Sequence, residues 1–277
     1  MNIFTIILTQ PLANGLILFY DLFGHNLGVA ILLFSSFLFL ITRPLSKPQI
    51  ESLKKIRAIQ PQIDKLKKKY RNDRLKFSQA QAELYKQNKI NPSTGCIFQI
   101  LQLVILVTFY QVFASSLSNN AASISKLNTL LYRPLKISQG ATLNTEFLYL
   151  DVSKPDTFNV PGIPFALPGV FLILAILAQF LSAKIMVPYI SEEEKLAKTT
   201  KSQTDDMQLA VQQSTMYFVP LMTLYFGYKF PSGLVLYWLI FSLGNVWMQV
   251  SINGWGSLTP LIQRLGLVKS TNNKKIK

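Results

Sequence analysis

Long apolar runs alternate with short polar, basic ones along this chain, and the length of each run decides what it can be. A helix that crosses a bilayer needs roughly 20 mostly apolar residues at about 1.5 Å each. Four stretches meet or approach that: Leu27–Thr42, Gly95–Leu117, Phe165–Val187 and Ser232–Ile252. A fifth, Thr215–Tyr228, is shorter and must borrow length from residues before it or thin the bilayer locally. Arg43 and Pro44 mark the expected end of the first run. Five spans are therefore expected. Residues 3 to 20 are also apolar, but Pro11 and Asn14 interrupt them and no basic residue precedes them, as a secretory signal would require. They read as an amphipathic helix in the interface, with a sixth span broken at Pro11 as the alternative.

Between the first two runs the pattern changes period. From Pro48 to Tyr70, apolar residues stand at Ile50, Leu53, Ile56, Ile59, Ile63, Leu66 and Tyr70, the three-and-four spacing of one helical stripe. Pro61 should kink or split that helix. RNDR at 71 to 74 makes a turn, and a second helix from about Leu75 to Asn88 carries Phe77, Ala80, Leu84 and Tyr85. The result is a helical hairpin over residues 47 to 89, either simply solvated or serving as a docking arm. The expected organisation is a turn-linked interfacial helix at 1 to 26, a membrane core at 27 to 252, and a basic tail at 253 to 277.

Composition agrees with a membrane fold. Of 277 residues, 49% are hydrophobic and 15% charged, against about 25% charged in ordinary soluble domains; the mean hydropathy is +0.28. The net charge of +15 is concentrated between the runs. Residues 43 to 94 carry fourteen Lys and Arg against four acids, whereas residues 118 to 164 carry only Lys126, Arg133, Lys136 and Lys154 as basic residues. The positive-inside rule places the first connection and the tail in the cytoplasm, and the second connection and the N-terminus outside. One Cys excludes an intrachain disulfide and one His excludes a His/Cys metal cluster. No G-x-x-x-x-G-K phosphate loop is present, and no cofactor is expected. Cys96 reads as a packed small residue, so the chain is not expected to be an enzyme.

Polar residues inside apolar runs are the candidate functional groups, because each is expensive in lipid and usually faces the bundle interior. The second run holds Gln99, Gln102, Thr108 and Gln111; the third holds Gln179, Ser182 and Lys184. In the last, Ser242, Asn245 and Gln249 form one stripe with Trp238 a turn earlier. Gln102, Gln179, Trp238, Ser242 and Asn245 are the expected lining of a polar groove, the alternative being contacts that hold the helices together. Lys54, Lys55, Lys67, Lys68 and Lys69 of the hairpin, with Lys274, Lys275 and Lys277 of the tail, are candidate contacts for a ribosome or for anionic lipid headgroups.

Three strings at the edges of the runs carry a resemblance: RPLSKPQIESLKKIRAIQPQIDKLKKKY at 43 to 70, LYKQNKINPSTGCIFQILQ at 84 to 102, and FPSGLVLYWLIFSLGNVWMQ at 230 to 249. Together they resemble the YidC family of membrane protein insertases, which includes the organellar Oxa and Alb proteins. FLYLDVSKPD at 147 to 156 is similar to the family's segment before the third span. The resemblance implies an all-α polytopic protein of the bacterial inner membrane, with five helices around a hydrophilic groove open to the cytoplasm. It implies nascent membrane proteins as substrates, with the ribosome, a Sec translocon and anionic lipids as partners. Members usually carry an Arg five residues before the Pro-Leu; here that position is Phe39, and Arg43 lies one turn nearer the cytoplasm. Arg43 is either the charge at the groove mouth or a topology anchor. A small transporter or channel is the competing function, although no internal repeat of the transporter kind is visible.

Overall fold

The computed structural model describes residues 3, 5–71, 73–91, 102–111, 121–138, 140–186, 217–264 and 266. A short π-helix at Thr5–Thr9 leads into α1 (Gln10–Leu22), and α2 (Leu27–Ala58) follows. Next come α3 (Gln60–Lys69), α4 (Arg74–Gln87), α5 (Gln102–Gln111) and α6 (Ala121–Asn128). Two antiparallel hairpins, β1 (Glu146–Phe147) with β2 (Leu150–Asp151) and β3 (Thr157–Phe158) with β4 (Leu167–Pro168), precede α7 (Val170–Met186). The chain continues with α8 (Tyr217–Gly227), α9 (Ser232–Asn253) and the short α10 (Thr259–Arg264).

The fold is mostly helical, and the two small hairpins correct the all-α expectation. They also shorten the third apolar run: residues 165 to 169 form part of a strand and turn, and the helix starts at Val170. Thr5–Leu22, Leu27–Ile56 and Ser232–Ile252 are long and apolar enough to cross a membrane by length and composition, while α5, α7 and α8 are shorter apolar helices. The ends of the second run, the last residue of the third and the start of the fifth lie outside the described residues. At the N-terminus, the helix continues through Pro11 into α1.

The expected stop at Pro44 does not occur. Helix α2 runs unbroken through Pro44 and Pro48 to Ala58. Each proline removes one backbone donor, which leaves the Leu40 and Pro44 carbonyls without their usual intrahelical bond, and the Thr42 and Ser46 hydroxyls donate to the carbonyls of Leu38, Phe39, Thr42 and Arg43 instead. Packing holds the segment, since Phe39, Ile50 and Met248 share one buried core. Ile50 thus belongs to the bundle, and position 47 lies inside α2.

The split at Pro61 does occur, with the chain turning at Ile59 and Pro61 standing in the first turn of α3. Ile59, Ile63 and Ile90 are buried there, and Ile56, Phe77, Leu84 and Tyr85 pack around them, so the two stripes face each other as expected. Asp73 caps α4 by accepting from the Lys76 N–H.

In the bundle, α9 packs against both α2 and α7. Phe39 meets Phe241, Ser46 meets Met248, and Lys54 reaches Ile252, so α2 and α9 run in the same direction. Leu172 clusters with Val235 and Ser182 meets Gln249, so α7 runs with them. The short helices run the other way: Gln102 meets Tyr237 and Tyr110 meets Phe230, while Gly227 abuts Leu172 and Thr223 meets Gln179.

Candidate functional site

The parallel course of α2, α7 and α9 brings three helix N-termini to one end, where unpaired backbone N–H groups need acceptors. One segment, residues 144 to 156, supplies them. The Asn144 carbonyl accepts from Leu27 N–H at 2.9 Å, and the Glu146 carbonyl accepts from the Asn26 side chain at 2.8 Å. The Lys154 and Val152 carbonyls accept from Ser232 and Gly233 N–H at 2.7 and 3.0 Å. Buried Asp156 accepts from Leu172 N–H at 2.8 Å and from the Tyr149 hydroxyl at 3.0 Å, and that hydroxyl accepts from Phe171 N–H. FLYLDVSKPD and FPSG, two motifs far apart in sequence, are thus bonded to one another. Helix α1 is tied to the same end: Asn14 donates to the Leu130 carbonyl and accepts from Tyr132 N–H, and Tyr20 Oη accepts from Asn144 N–H.

Within this cap Asp151 is the most perturbed acid. Burial opposes its ionisation, yet hydrogen bonds from the Ser153 hydroxyl and N–H and from the Lys154 ammonium outweigh that and draw its carboxyl down to about 2. Burial pushes the Tyr149 hydroxyl up, with Asp156 acting in the same direction.

The polar candidates of the bundle gather on α9 and the helices facing it. At about 100° per residue, Trp238, Ser242, Asn245 and Gln249 fall in an arc of roughly 60°. That face turns toward α7: Gln249 donates to the Ser182 hydroxyl at 2.9 Å, and half-buried Trp238 packs against the cluster of Leu172, Ala175, Ala178, Val235 and Leu239. Ser242 is buried and Asn245 half-buried. Gln179 accepts from the Thr223 hydroxyl at 2.8 Å, joining α7 to α8. Gln102 donates to Tyr237 Oη at 2.6 Å, joining α5 to α9. Among the described residues, the amide oxygens of Gln102 and Gln249 are buried without a hydrogen-bond partner. The partners Tyr237 and Thr223 were not among the sequence candidates; each lies in an apolar run, where a hydroxyl facing a neighbouring helix gives no periodic signal.

The structure does not bring Arg43 to this face. Its guanidinium lies 4.5 Å from the centre of the half-exposed Trp247 ring, roughly opposite the stripe on α9. The position one turn earlier is closed: Phe39 is buried edge-on against Phe241 at 5.8 Å. A Cβ on Gly244 would lie 2.6 Å from the Phe39 ring, so α2 and α9 approach closely only because that residue is glycine.

Of the basic candidates, Lys54 donates to the Ile252 carbonyl at 2.9 Å and so caps the C-terminal end of α9. Lys69 lies over the Tyr70 ring, Lys55 and Lys68 are exposed, and Lys67 is half-buried. Lys274, Lys275 and Lys277 lie outside the described residues.

The model of the family described as 60Kd inner membrane protein matches residues 18–257. "Membrane protein insertase YidC 2" of Listeria innocua is 29% identical over 248 residues, which cover 88% of this chain and 69% of that protein. The chain belongs to the YidC/Oxa/Alb family. Two further YidC relatives, each named "Membrane protein insertase YidC", come from Chlorobium luteolum and Pelodictyon phaeoclathratiforme. They are 29% identical over 261 and 276 residues, covering 92% and 98% of this chain and 38% and 41% of those proteins. The chain thus spans about two thirds of the Listeria relative and about two fifths of the other two. Its apolar helices and its place in the YidC/Oxa/Alb family make it a multi-pass bacterial membrane protein.

Proposed function

We propose that this chain is a membrane protein insertase that carries newly made membrane proteins into the bilayer. The observation that carries this reading is the family match over residues 18–257, and the bonded pair of its motifs at one end of the bundle supports it. With that end capped, α2, α5, α7, α8 and α9 are five spans, the capped end lies outside, and the hairpin and C-terminus are cytoplasmic. A polar groove between α5, α7 and α9 is lined by Gln102, Gln179, Trp238, Ser242 and Asn245. The unpaired amide oxygens of Gln102 and Gln249 support this, because a client's polar segment or solvent satisfies such groups. A wet groove shortens the hydrocarbon barrier that a short hydrophilic tail must cross.

On this reading the task is positional and breaks no bond, so no catalytic residue or cofactor is assigned. Arg43, over Trp247 at the cytoplasmic end of the span, is an interfacial anchor. The hairpin lysines and basic tail meet the ribosome and anionic headgroups, and a Sec translocon is a further partner. The relatives named above are insertases, which weighs against a small transporter or channel. The test is reconstitution of the purified protein alone in liposomes with a short single-span substrate and no nucleotide. Insertion above that of empty liposomes is the expected result, and none from correctly oriented protein would sink the reading.

A further inference from the structure

Residues 157 to 168 form a finger that stands beside the N-terminal end of α7. Its root is fixed: Phe158 stacks on Tyr149 at 5.3 Å, Tyr149 stacks on Phe171 at 5.6 Å, and Thr157 and Phe158 pair with Pro168 and Leu167. Its tip is stiff. Ile163 N–H donates to the Val160 carbonyl at 3.1 Å across Pro161 and Gly162, and Gly162 has φ +88°. These are the features of a type II turn, with proline presetting the first corner and glycine supplying the positive φ of the second.

A stiff, hydrogen-bonded tip would be an ordinary polar turn in a soluble loop, yet this one is apolar. Val160, Ile163 and Phe165 are exposed, Phe165 to 63%. No Asp, Glu, Lys or Arg occurs between Asp156 and Lys184. The exposed finger side chains continue directly into the exposed stripe of α7 formed by Val170, Leu174 and Leu177. The finger adds apolar surface to the N-terminal end of α7, where the described helix begins at Val170.

We propose that the Val160–Phe165 finger is a wedge that inserts into the acyl and headgroup boundary of the bilayer leaflet beside α7. Continuity with the lipid-facing stripe and the absence of charge select lipid as the occupant. Because the tip is already ordered, insertion sacrifices little conformational freedom. The wedge extends the lipid-facing stripe of α7 into the boundary of the leaflet at the N-terminal end of that helix. It adds a lipid contact to the proposed insertase and does not depend on what the groove does.

The test places an environment-sensitive fluorophore on Ile163→Cys, Phe165→Cys and, as an aqueous control, Lys154→Cys, each in a Cys96→Ser background. The labelled full chain is reconstituted in vesicles of phosphatidylcholine and phosphatidylglycerol. Labels at 163 and 165 should show blue-shifted emission, quenching by lipid carrying a nitroxide near the headgroup end of its acyl chain, and roughly threefold less quenching by iodide than the label at 154. Equal iodide quenching at 154, 163 and 165 would overturn the proposal. Protection from both quenchers would overturn it too, by showing that protein rather than lipid covers the finger. Having two probe sites keeps the result readable if one variant misfolds, and none of these readings requires insertion activity.

Discussion

The two ends of the bundle are built differently. At the capped end, one segment meets the N-termini of α2, α7 and α9 with backbone carbonyls and one buried carboxylate, so the acceptors come from within the fold. At the opposite end, α2 leaves the bundle as a helix and α9 is met by one exposed lysine at Ile252. Closure made of buried, paired groups is costly to open, because each broken bond strands a desolvated donor or acceptor. The exposed Lys54 contact is one that opens at little cost. That asymmetry suits a molecule sealed on one side and receptive on the other.

The sharpest way to break the comparison is at Asp156. Asp156→Ala strands the Leu172 N–H and the Tyr149 hydroxyl and removes the cap of α7, and should cost about 3 kcal/mol. Thermal unfolding in detergent reads this directly; an unchanged Tm would mean that the cap does not hold the bundle. Next in size is Gly244→Val, which forces the Phe39 ring away and should cost roughly 2 kcal/mol by overpacking the α2–α9 seam.

Acid should act on the capped end. The Asp151 carboxyl sits at about 2 in the fold against an ordinary 3.8. Its contribution is therefore complete above pH 4 and lost as pH falls through 2, amounting to about 2 kcal/mol. Asp151→Asn should be less stable at neutral pH and should flatten the pH dependence over that window. A wild-type slope retained in the variant would assign it to another group. Smallest of all is Lys54→Met. It should leave the stability within about 0.5 kcal/mol of wild type and speed hydrogen exchange in the last turn of α9, while exchange at the capped end stays the same.

Features with a regular period were legible in the sequence. The stripes of the hairpin and the whole of α9 follow from apolar spacing, and the break at Ile59 follows from Pro61. Pro44 misled because its cost is local, whereas the burial of Phe39 and Ile50 and the contact of Ser46 with Met248 come from structure that a pattern of apolar residues does not encode. The β-hairpins were invisible because two-residue strands are too short to alternate. Of the polar candidates, those on α9 were placed on one face correctly, since a single helix fixes their relation. Arg43 belongs to a different helix, and its position over Trp247 depends on how two helices are rotated against each other.

The continuity of α2 has a mechanical consequence. At 32 residues it is a rod of about 48 Å, with one end seated under the Asn144 and Glu146 carbonyls and the other protruding from the bundle. A load applied to the hairpin first meets the joint at Ile59. Beyond that joint the load passes into the length of α2, whose closest bearing on α9 is the contact between Phe39 and Gly244.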